Sequence, residues 1–359
     1  MAWRFLPGHI FLEAETMYLS AITIGYAVPD GNFDASVHSV FQNAINLCPS
    51  GASGLLTLVT ASEADLPQGI RVNTPEGFSF ERHQVGERVT CQDGNLCLDS
   101  LIIKLHGARR WKCNLSTLEV DTTNPAVAIA WNCVWDALNK RQKLSKAEVV
   151  ADNICHCEEW RESRHDKAIS SSLLAQKLHE NRGLLRNVRL QRHHSTAWTN
   201  VSHKAGVAIR GLVRATRRYD SALAISAVDA LVGLGTGLTP CGDDLLVGYM
   251  AGLWCAMQDK SERVRFVSDL GKAIIHLSQQ TNDISHTYLY HAVHGQVSSQ
   301  LANLAEAICR GENPNCLLNI AEAAMQVGHT SGMDAVTGLL VGLTAWMSSK
   351  ITATTGSGI

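Results

Sequence analysis

The sequence predicts an α+β protein, in which an amino-terminal β-rich domain precedes an α-helical domain with two glycine-striped core helices. Short apolar runs separated by turn residues occupy the first third of the chain, and helical periodicity follows from about residue 125. The length of 359 residues suggests two domains at about 150 residues each. We therefore expect a β-rich domain over residues 1–120, a helical domain over 121–350 and a flexible tail over 351–359.

The β-rich domain is predicted from apolar runs that glycine, proline and Asp93-Gly94 punctuate. The strands that we expect are Leu55–Val59, Gly69–Val72, Phe78–Phe80, Arg88–Cys91, Leu96–Leu98 and Leu101–Leu105. An earlier run, Val40–Leu47, has a helix-like pattern. The order of the strands cannot be read from the sequence.

Helical periodicity predicts most of the second domain. The helices that we expect are Ala126–Leu138, Leu144–Cys155, Leu173–Glu180, His203–Arg218, Ser221–Leu231, Val264–Gln279, Tyr288–Cys309 and Leu317–Val327. Two uninterrupted apolar stretches, Leu245–Met257 and Ala335–Met347, are too short to span a bilayer, so we interpret them as central core helices.

Composition excludes several functional classes. The chain is 45% hydrophobic and 18% charged, which is typical of a globular protein, and its net charge of -2 gives no general attraction to nucleic acid or anionic membranes. Eleven cysteines without a secretory signal indicate a reducing cytoplasm. The ligands in Cys155-His156-Cys157 are too close together for a usual zinc site, and no second pair follows.

Basic side chains are frequent between residues 177 and 218, but aromatic residues that could stack on bases are scarce there. We therefore interpret this segment as a solvated helix face or a contact with an acidic partner. Arg210 is the arginine that we would test for contact with an anionic substrate. The other arginines of this segment include Arg182, Arg186, Arg189, Arg192, Arg214, Arg217 and Arg218.

The most informative segment is the glycine loop, Gly233–Pro240, which leads through Cys241 and Gly242 into Asp243 and Asp244. Its pattern recurs later in the chain, where a glycine again lies two places before an aspartate. The aligned pairs are Gly242 with Gly332, Asp244 with Asp334, Gly248 with Gly338, and Gly252 with Gly342.

Glycines four residues apart lie on one helix face, so two such helices can approach closely along their backbones. If they cross there, their amino ends converge. The residues that this crossing would bring together are Thr239, Asp243, Asp244, Thr330, Ser331 and Asp334. Helix capping explains any one of these residues, but it requires neither the loop glycines nor the repeat.

Consecutive backbone N–H groups at the start of the helix after this loop would form an anion cradle suited to phosphate or carboxylate. Asp243 and Asp244 would repel such an anion unless a cation or a proton intervened. They could hold Mg²⁺, provide a general base or hydrogen-bond substrate N–H groups. A Walker loop is excluded because Gly242 is followed by Asp243 and not by lysine. Cys241 aligns with Ser331, which favours a small hydrogen-bonding side chain, and no base for a nucleophilic role is identifiable.

Two further segments carry polar groups. Thr281-Asn-Asp-Ile-Ser-His286 offers a hydroxyl and an imidazole at Ser285 and His286, although Thr281, Asp283 or Ser285 could instead cap a helix. In the first domain, His38-Ser39 is similarly undecided.

Four motifs together resemble the bacterial AllH family, over about residues 20 to 345. They are Gly235-x-Gly-Leu-Thr-Pro-x-Gly-Asp-Asp244, Thr281-x-x-Ile-Ser285, Gly328-His-Thr-Ser-Gly-x-Asp334 and Val37-His-Ser-Val-Phe41. One family member is a subunit of the multisubunit oxamate carbamoyltransferase of anaerobic allantoin breakdown. The chain departs from this family at Cys241, where we expect serine, and it lacks the Ser-Thr-Arg-Thr-Arg loop of ordinary transcarbamoylases.

The resemblance implies phosphorolysis of oxalurate, or of a related ureido acid, to oxamate and carbamoyl phosphate, with partner subunits resembling AllF and AllG. The alternatives are a noncatalytic scaffold and a small-molecule-binding regulatory subunit. The expected catalytic residues are Asp243, Asp244, Asp334 and His329. The expected substrate-binding residues are Gly235, Gly237, Thr239, Gly242, Ser285, Thr330, Ser331 and His38. No cofactor is certain; Mg²⁺ could bind, and its ligands are left open.

Overall fold

The computed structural model of the chain describes residues 16–51, 54–144, 196–328 and 330–347. It divides into two compact units between Lys112 and Cys113. All strands of the described residues precede this boundary and all their helices follow it. The α+β fold class predicted from the sequence is therefore confirmed.

The amino-terminal unit is a nine-stranded sheet. Its strands are β1 (Met17–Gly25), β2 (Phe33–Val40), β3 (Ala44–Pro49), β4 (Leu56–Val59), β5 (Gly69–Val72), β6 (Arg88–Gln92), β7 (Asn95–Leu98), β8 (Leu101–Lys104) and β9 (Arg109–Trp111). The strand order is β5-β4-β3-β2-β6-β7-β8-β1-β9, and β1 also pairs with β5. This last pairing closes the sheet, so that Ile45, Leu58, Ile70, Leu96 and Leu101 lie fully buried.

Two local predictions in this unit are wrong. Val40–Leu47 is not helical, because β2 ends at Val40 and β3 begins at Ala44, with Val40 opposite Ile45 in the antiparallel ladder. A short apolar run around a tight turn has no periodicity that separates a strand from a helix. Phe78–Phe80 is not a strand either. Phe80 is fully buried, and its backbone N–H donates to the carbonyl of Gln42 outside any ladder.

The carboxy-terminal unit contains nine α-helices among the described residues. They are α1 (Pro125–Leu144), α2 (Thr196–Arg218), α3 (Ser221–Asp229), α4 (Cys241–Ala256), α5 (Ser261–Leu277), α6 (Asp283–Val293), α7 (Ser299–Arg310), α8 (Pro314–Met325) and α9 (Ser331–Leu343). The helices expected at Leu144–Cys155 and Leu173–Glu180, the thiols beside His156 and the tail 351–359 lie outside the described residues.

The single helical range Tyr288–Cys309 is wrong, because α6 ends at Val293 and α7 begins at Ser299. Gly295 causes the break. Its φ of 71° is a left-handed conformation that side chains rarely adopt, and a Cβ atom there would lie 3.0 Å from the Trp254 ring.

Helices α4 and α9 form the centre of this unit and pack along their glycines, as the sequence predicts. Positions that carry glycine in one helix face backbone atoms of the other. A Cβ atom added to Gly252 would lie 2.6 Å from the carbonyl oxygen of Leu339, and one added to Gly248 would collide with the carbonyl of Ala335. Later residues of α4 meet later residues of α9, so the two helices run parallel and their amino ends lie on the same side.

Among the described helices, none combines the length and the hydropathy that crossing a bilayer requires.

Candidate functional site

The parallel packing of α4 and α9 brings the two glycine-aspartate motifs together at one end of the helix pair. The hydroxyl oxygens of Thr239, in the glycine loop, and Ser331, at the start of α9, are hydrogen-bonded at 2.6 Å. The two motifs are far apart in sequence, so this contact confirms the convergence that the repeat predicts.

The glycine loop folds back onto the first turn of α4. The carbonyl of Leu234 accepts hydrogen bonds from the backbone N–H of Gly242 at 2.9 Å and from the thiol of Cys241 at 3.2 Å. Gly235 makes this approach possible, because its φ is 124° and a Cβ atom would lie 2.8 Å from the backbone nitrogen of Cys241. The loop conformation therefore depends on glycine at position 235.

The amide groups that remain open belong to the loop and not to the helix. The N–H of Gly242 is bound by Leu234, and those of Asp243 and Asp244 donate to the carbonyl of Pro240. By contrast, the backbone N–H groups of residues 235–239 have no acceptor within the part of the chain that the structure describes. An anion would therefore meet the loop amides, whereas the sequence suggested the helix start.

Asp243 is buried and fully engaged. One carboxylate oxygen accepts from the backbone N–H of Gly233 at 2.8 Å, and the other accepts from the Thr281 hydroxyl at 2.6 Å. Burial raises the pKa of Asp243, whereas the hydrogen bonds from Thr281 and Gly233 and the nearby Ser285 hydroxyl lower it. This side chain therefore links α4 to the glycine loop and to the segment before α6 through hydrogen bonds.

Asp244 lies one residue further on in a different environment. It is 9% exposed, and its Oδ2 atom is buried without a hydrogen-bond partner among the described residues. Burial raises the pKa of Asp244 to about 8, the nearby hydroxyls of Ser331 and Thr239 oppose this rise, and the carboxylates of Asp334 and Asp243 add to it.

Asp334 is the second carboxyl group at this end of the helix pair. Burial raises its pKa to about 7. Because burial disfavours the charged form of both carboxyls, Asp244 and Asp334 retain a proton near neutral pH, and the charge of Asp334 adds to the rise in the pKa of Asp244. The protonated carboxyl can then donate a hydrogen bond while the ionised one accepts. The pair also repels a nearby anion less than two ionised carboxylates would.

The raised pKa values predict that the folded protein loses stability as the pH rises. Between the unfolded pKa near 4 and the folded pKa of about 7 to 8, the folded state binds a proton that the unfolded chain has released. The free energy of unfolding therefore decreases as the pH rises through this range. We expect the melting temperature to fall between about pH 6.5 and 8, above the range from about pH 4 to 6.5 in which the lowered pKa of buried His291 affects stability. The fall should be smaller in Asp244→Asn, as measured by thermal unfolding. An equal pH slope in both proteins would contradict the assignment.

Cys241 is a thiol in this environment. Burial, with the carboxylates of Asp334 and Asp244, raises its pKa to about 12. Its side chain donates to the Leu234 carbonyl, which fits the small hydrogen-bonding role expected from the alignment with Ser331.

The segment before α6 contributes Thr281 through its bond to Asp243. Asn282 caps α6, because its side-chain oxygen accepts from the backbone N–H groups of Ile284 and Ser285. None of the three expected caps has this role, and asparagine is as good a capping residue as serine or aspartate. Ser285 is buried beside Asp243, whereas His286 is hydrogen-bonded to Ser278 at 2.8 Å.

The remaining candidates are dispersed. Thr330 precedes α9 and its side chain makes no capping hydrogen bond, while Gly237 has open space around it. His38 lies on β2 of the amino-terminal unit, with Nδ1 3.2 Å from the Ser39 hydroxyl oxygen. Arg210 is exposed on α2. His329 and the arginines at 182, 186, 189 and 192 lie outside the described residues.

The geometry of the described residues provides no cluster of side chains suited to a metal ion. The described residues contain no group of three or more His, Cys, Asp or Glu side chains placed to hold a metal ion. Both oxygens of Asp243 are engaged, so Asp243 and Asp244 do not form a pair of open ligands for Mg²⁺.

The fold and the site define an α+β protein whose glycine loop lies beside a protonatable carboxyl pair. A family model described as oxamate carbamoyltransferase subunit AllH matches residues 231–343, which include both glycine-aspartate motifs. A second model, the AllH family N-terminal domain, matches residues 19–110, which include nearly all of the closed sheet. The chain belongs to the AllH family. No solved structure matches it.

Proposed function

We propose that this chain is a subunit of a multisubunit carbamoyltransferase that converts oxalurate, or a related ureido acid, and phosphate to oxamate and carbamoyl phosphate. The family supports the carbamoyl chemistry and the need for other subunits, which we propose resemble AllF and AllG. The described cysteines are free thiols, which suits the reducing cytoplasm that we propose as its location.

The glycine loop is the proposed phosphate site. Its amide groups from residue 235 to residue 239 have no acceptor among the described residues, and the Thr239 hydroxyl is bonded to Ser331 and lies near Asp244. Backbone N–H groups and hydroxyls are suitable ligands for phosphate oxygens. Ser331 and Thr330 border the same place from α9, where they would contact the ureido substrate.

The Asp244–Asp334 pair is the proposed proton carrier. In phosphorolysis, a phosphate oxygen bonds to the ureido carbonyl carbon, and the bond from that carbon to the oxamate nitrogen breaks. The attacking phosphate gives its proton to the ionised carboxylate of the pair, while the protonated carboxyl gives its proton to the departing nitrogen. The pair ends with one proton, as it began, so atoms and charge balance.

The observation that carries this proposal is the buried Oδ2 atom of Asp244, which has no hydrogen-bond partner among the described residues and lies near a second carboxyl with a raised pKa. Leaving such an oxygen without a partner costs about 1–3 kcal/mol, which a substrate N–H would recover. Helix capping does not explain it, because a capping carboxylate would be occupied by backbone N–H groups.

Thermal unfolding of the full chain with phosphate, carbamoyl phosphate, oxamate and Mg²⁺, singly and combined, tests the binding part. We expect phosphate or carbamoyl phosphate to raise the melting temperature. Any rise that oxamate causes should disappear in Asp244→Asn. Asp229→Asn is the matched control, because it makes the same substitution at an exposed position of α3, away from the carboxyl pair.

Turnover of the complex reconstituted with its partner subunits tests the chemical part. Formation of carbamoyl phosphate from oxalurate and phosphate is the expected result. Ligand-dependent stabilisation without turnover in any subunit combination would instead assign the chain a regulatory role, and loss of assembly without any loop dependence would assign it a scaffold role.

A further inference from the structure

We infer that Asp243 is a positioning residue, which together with Thr281 holds the glycine loop in the shape that presents its amide groups to phosphate. This inference rests on the proposed function and separates the roles of two adjacent aspartates. Gly233, Asp243 and Thr281 are called the loop latch below.

The latch joins three segments that are separate in sequence. Asp243 belongs to the first turn of α4, Gly233 begins the glycine loop, and Thr281 precedes α6. The two bonds, of 2.8 and 2.6 Å, use one carboxylate oxygen each. With a side chain that is only 1% exposed, Asp243 has no free surface on which a substrate could bind.

The latch also explains the Thr281-x-x-x-Ser285 motif. Thr281 donates directly to Asp243, and Ser285, buried in the first turn of α6, lies close enough to lower the pKa of the same carboxyl. Asn282, between them, starts α6 and so fixes where both hydroxyls lie. The motif therefore supports Asp243 from α6, without contributing a group to the open part of the site.

The loop needs such a restraint. Gly233 is exposed and has a φ of 68°, and two more glycines follow within the loop. A chain with three glycines loses much conformational entropy when it is fixed in one shape. Because Asp243 holds the N–H of Gly233 and Leu234 holds that of Gly242, both ends of the loop are tied, while the amides of residues 235–239 have no acceptor in the described ranges.

Asparagine at position 243 can preserve this latch. Its amide oxygen can accept from the Gly233 N–H, and its NH₂ group can donate to the Thr281 hydroxyl, which can turn to accept. Alanine at this position loses both bonds. A positioning role therefore predicts that Asp243→Asn is tolerated and Asp243→Ala is not, whereas a catalytic carboxylate would be lost equally in both.

We expect the reconstituted complex with Asp243→Asn to keep turnover within about tenfold of the unaltered protein. Asp243→Ala and Thr281→Val should raise the KM for inorganic phosphate by about 100-fold, with a smaller change in kcat, because the loop amides no longer converge. Thr281→Ser should restore the KM, since it returns the hydroxyl. Equal loss of kcat in Asp243→Asn and Asp243→Ala would overturn the inference.

Amide hydrogen exchange of the full chain, read by NMR at Gly233, tests the latch without any ligand. The Gly233 N–H should exchange slowly although this glycine is exposed, and Thr281→Val should speed its exchange more than Thr281→Ser does. Fast exchange in the unaltered protein, or no change in Thr281→Val, would contradict the latch. If exchange behaves as expected but no subunit combination turns over oxalurate, the proposed function fails and the latch stands.

Discussion

Asp244→Asn is expected to lower turnover of the reconstituted complex by about 100- to 10,000-fold, the range that loss of a general acid–base group produces. Asparagine has nearly the same shape, so folding and assembly should persist, but its amide cannot carry a proton from phosphate to the departing nitrogen. Asp334 would then titrate without its carboxyl partner, and the shared proton would be absent.

Steady-state kinetics of the complex measure this effect, and circular dichroism of the variant chain confirms its fold. Asp229→Asn controls for the substitution itself and should retain full activity. If Asp244→Asn is as active as this control, the carboxyl pair takes no part in the chemistry and another subunit holds the catalytic groups.

Gly338→Ala is expected to destabilise the carboxy-terminal unit by about 1–3 kcal/mol or more, the cost of adding a methyl group to a filled core. The new Cβ atom would collide with the Leu245 carbonyl and would lie 2.7 Å from the Tyr249 backbone nitrogen. Backbone atoms cannot rotate aside as a side chain can, so α4 and α9 would have to separate. Urea denaturation measures the loss.

Gly211→Ala is the matched control for this substitution. Gly211 also lies within a helix, but a Cβ atom there would have its nearest neighbour, the Ala227 Cβ, at an ordinary 3.8 Å. Alanine favours the helix over glycine by about 1 kcal/mol, so this variant should be as stable as the unaltered chain or more so. Equal stability of the two variants would contradict the close crossing of α4 and α9.

Local signals in the sequence were sufficient for several elements. Gly69–Val72 is a strand with the expected bounds, and the repeated glycine spacing predicted both the crossing of α4 with α9 and the meeting of Thr239 with Ser331. Each of these signals is a spacing between residues of one segment, or a match between two segments. Such spacings are visible without knowledge of the fold.

Other features depend on contacts between distant residues. The pairing of β1 with β5 closes the sheet, and the sequence of neither strand indicates that it pairs with the other. Asp243 and Asp244 are chemically identical neighbours, yet the first is bonded to Gly233 and Thr281, whereas the second is buried near Ser331 and within the electrostatic influence of Asp334. Since the difference arises from what surrounds each carboxyl, the sequence alone could not assign their separate roles.

The glycine crossing also limits how the protein can respond to a ligand. Sliding α9 along α4 by one residue would move a side chain into the place that Gly338 or Gly342 occupies, against the backbone of α4. We therefore expect the two helices to move as one rigid body, with the carboxyl groups of Asp244 and Asp334 at a constant separation. Any adjustment to substrates of different size would then have to come from the glycine loop, whose length and anchoring would decide which ureido acids are accepted.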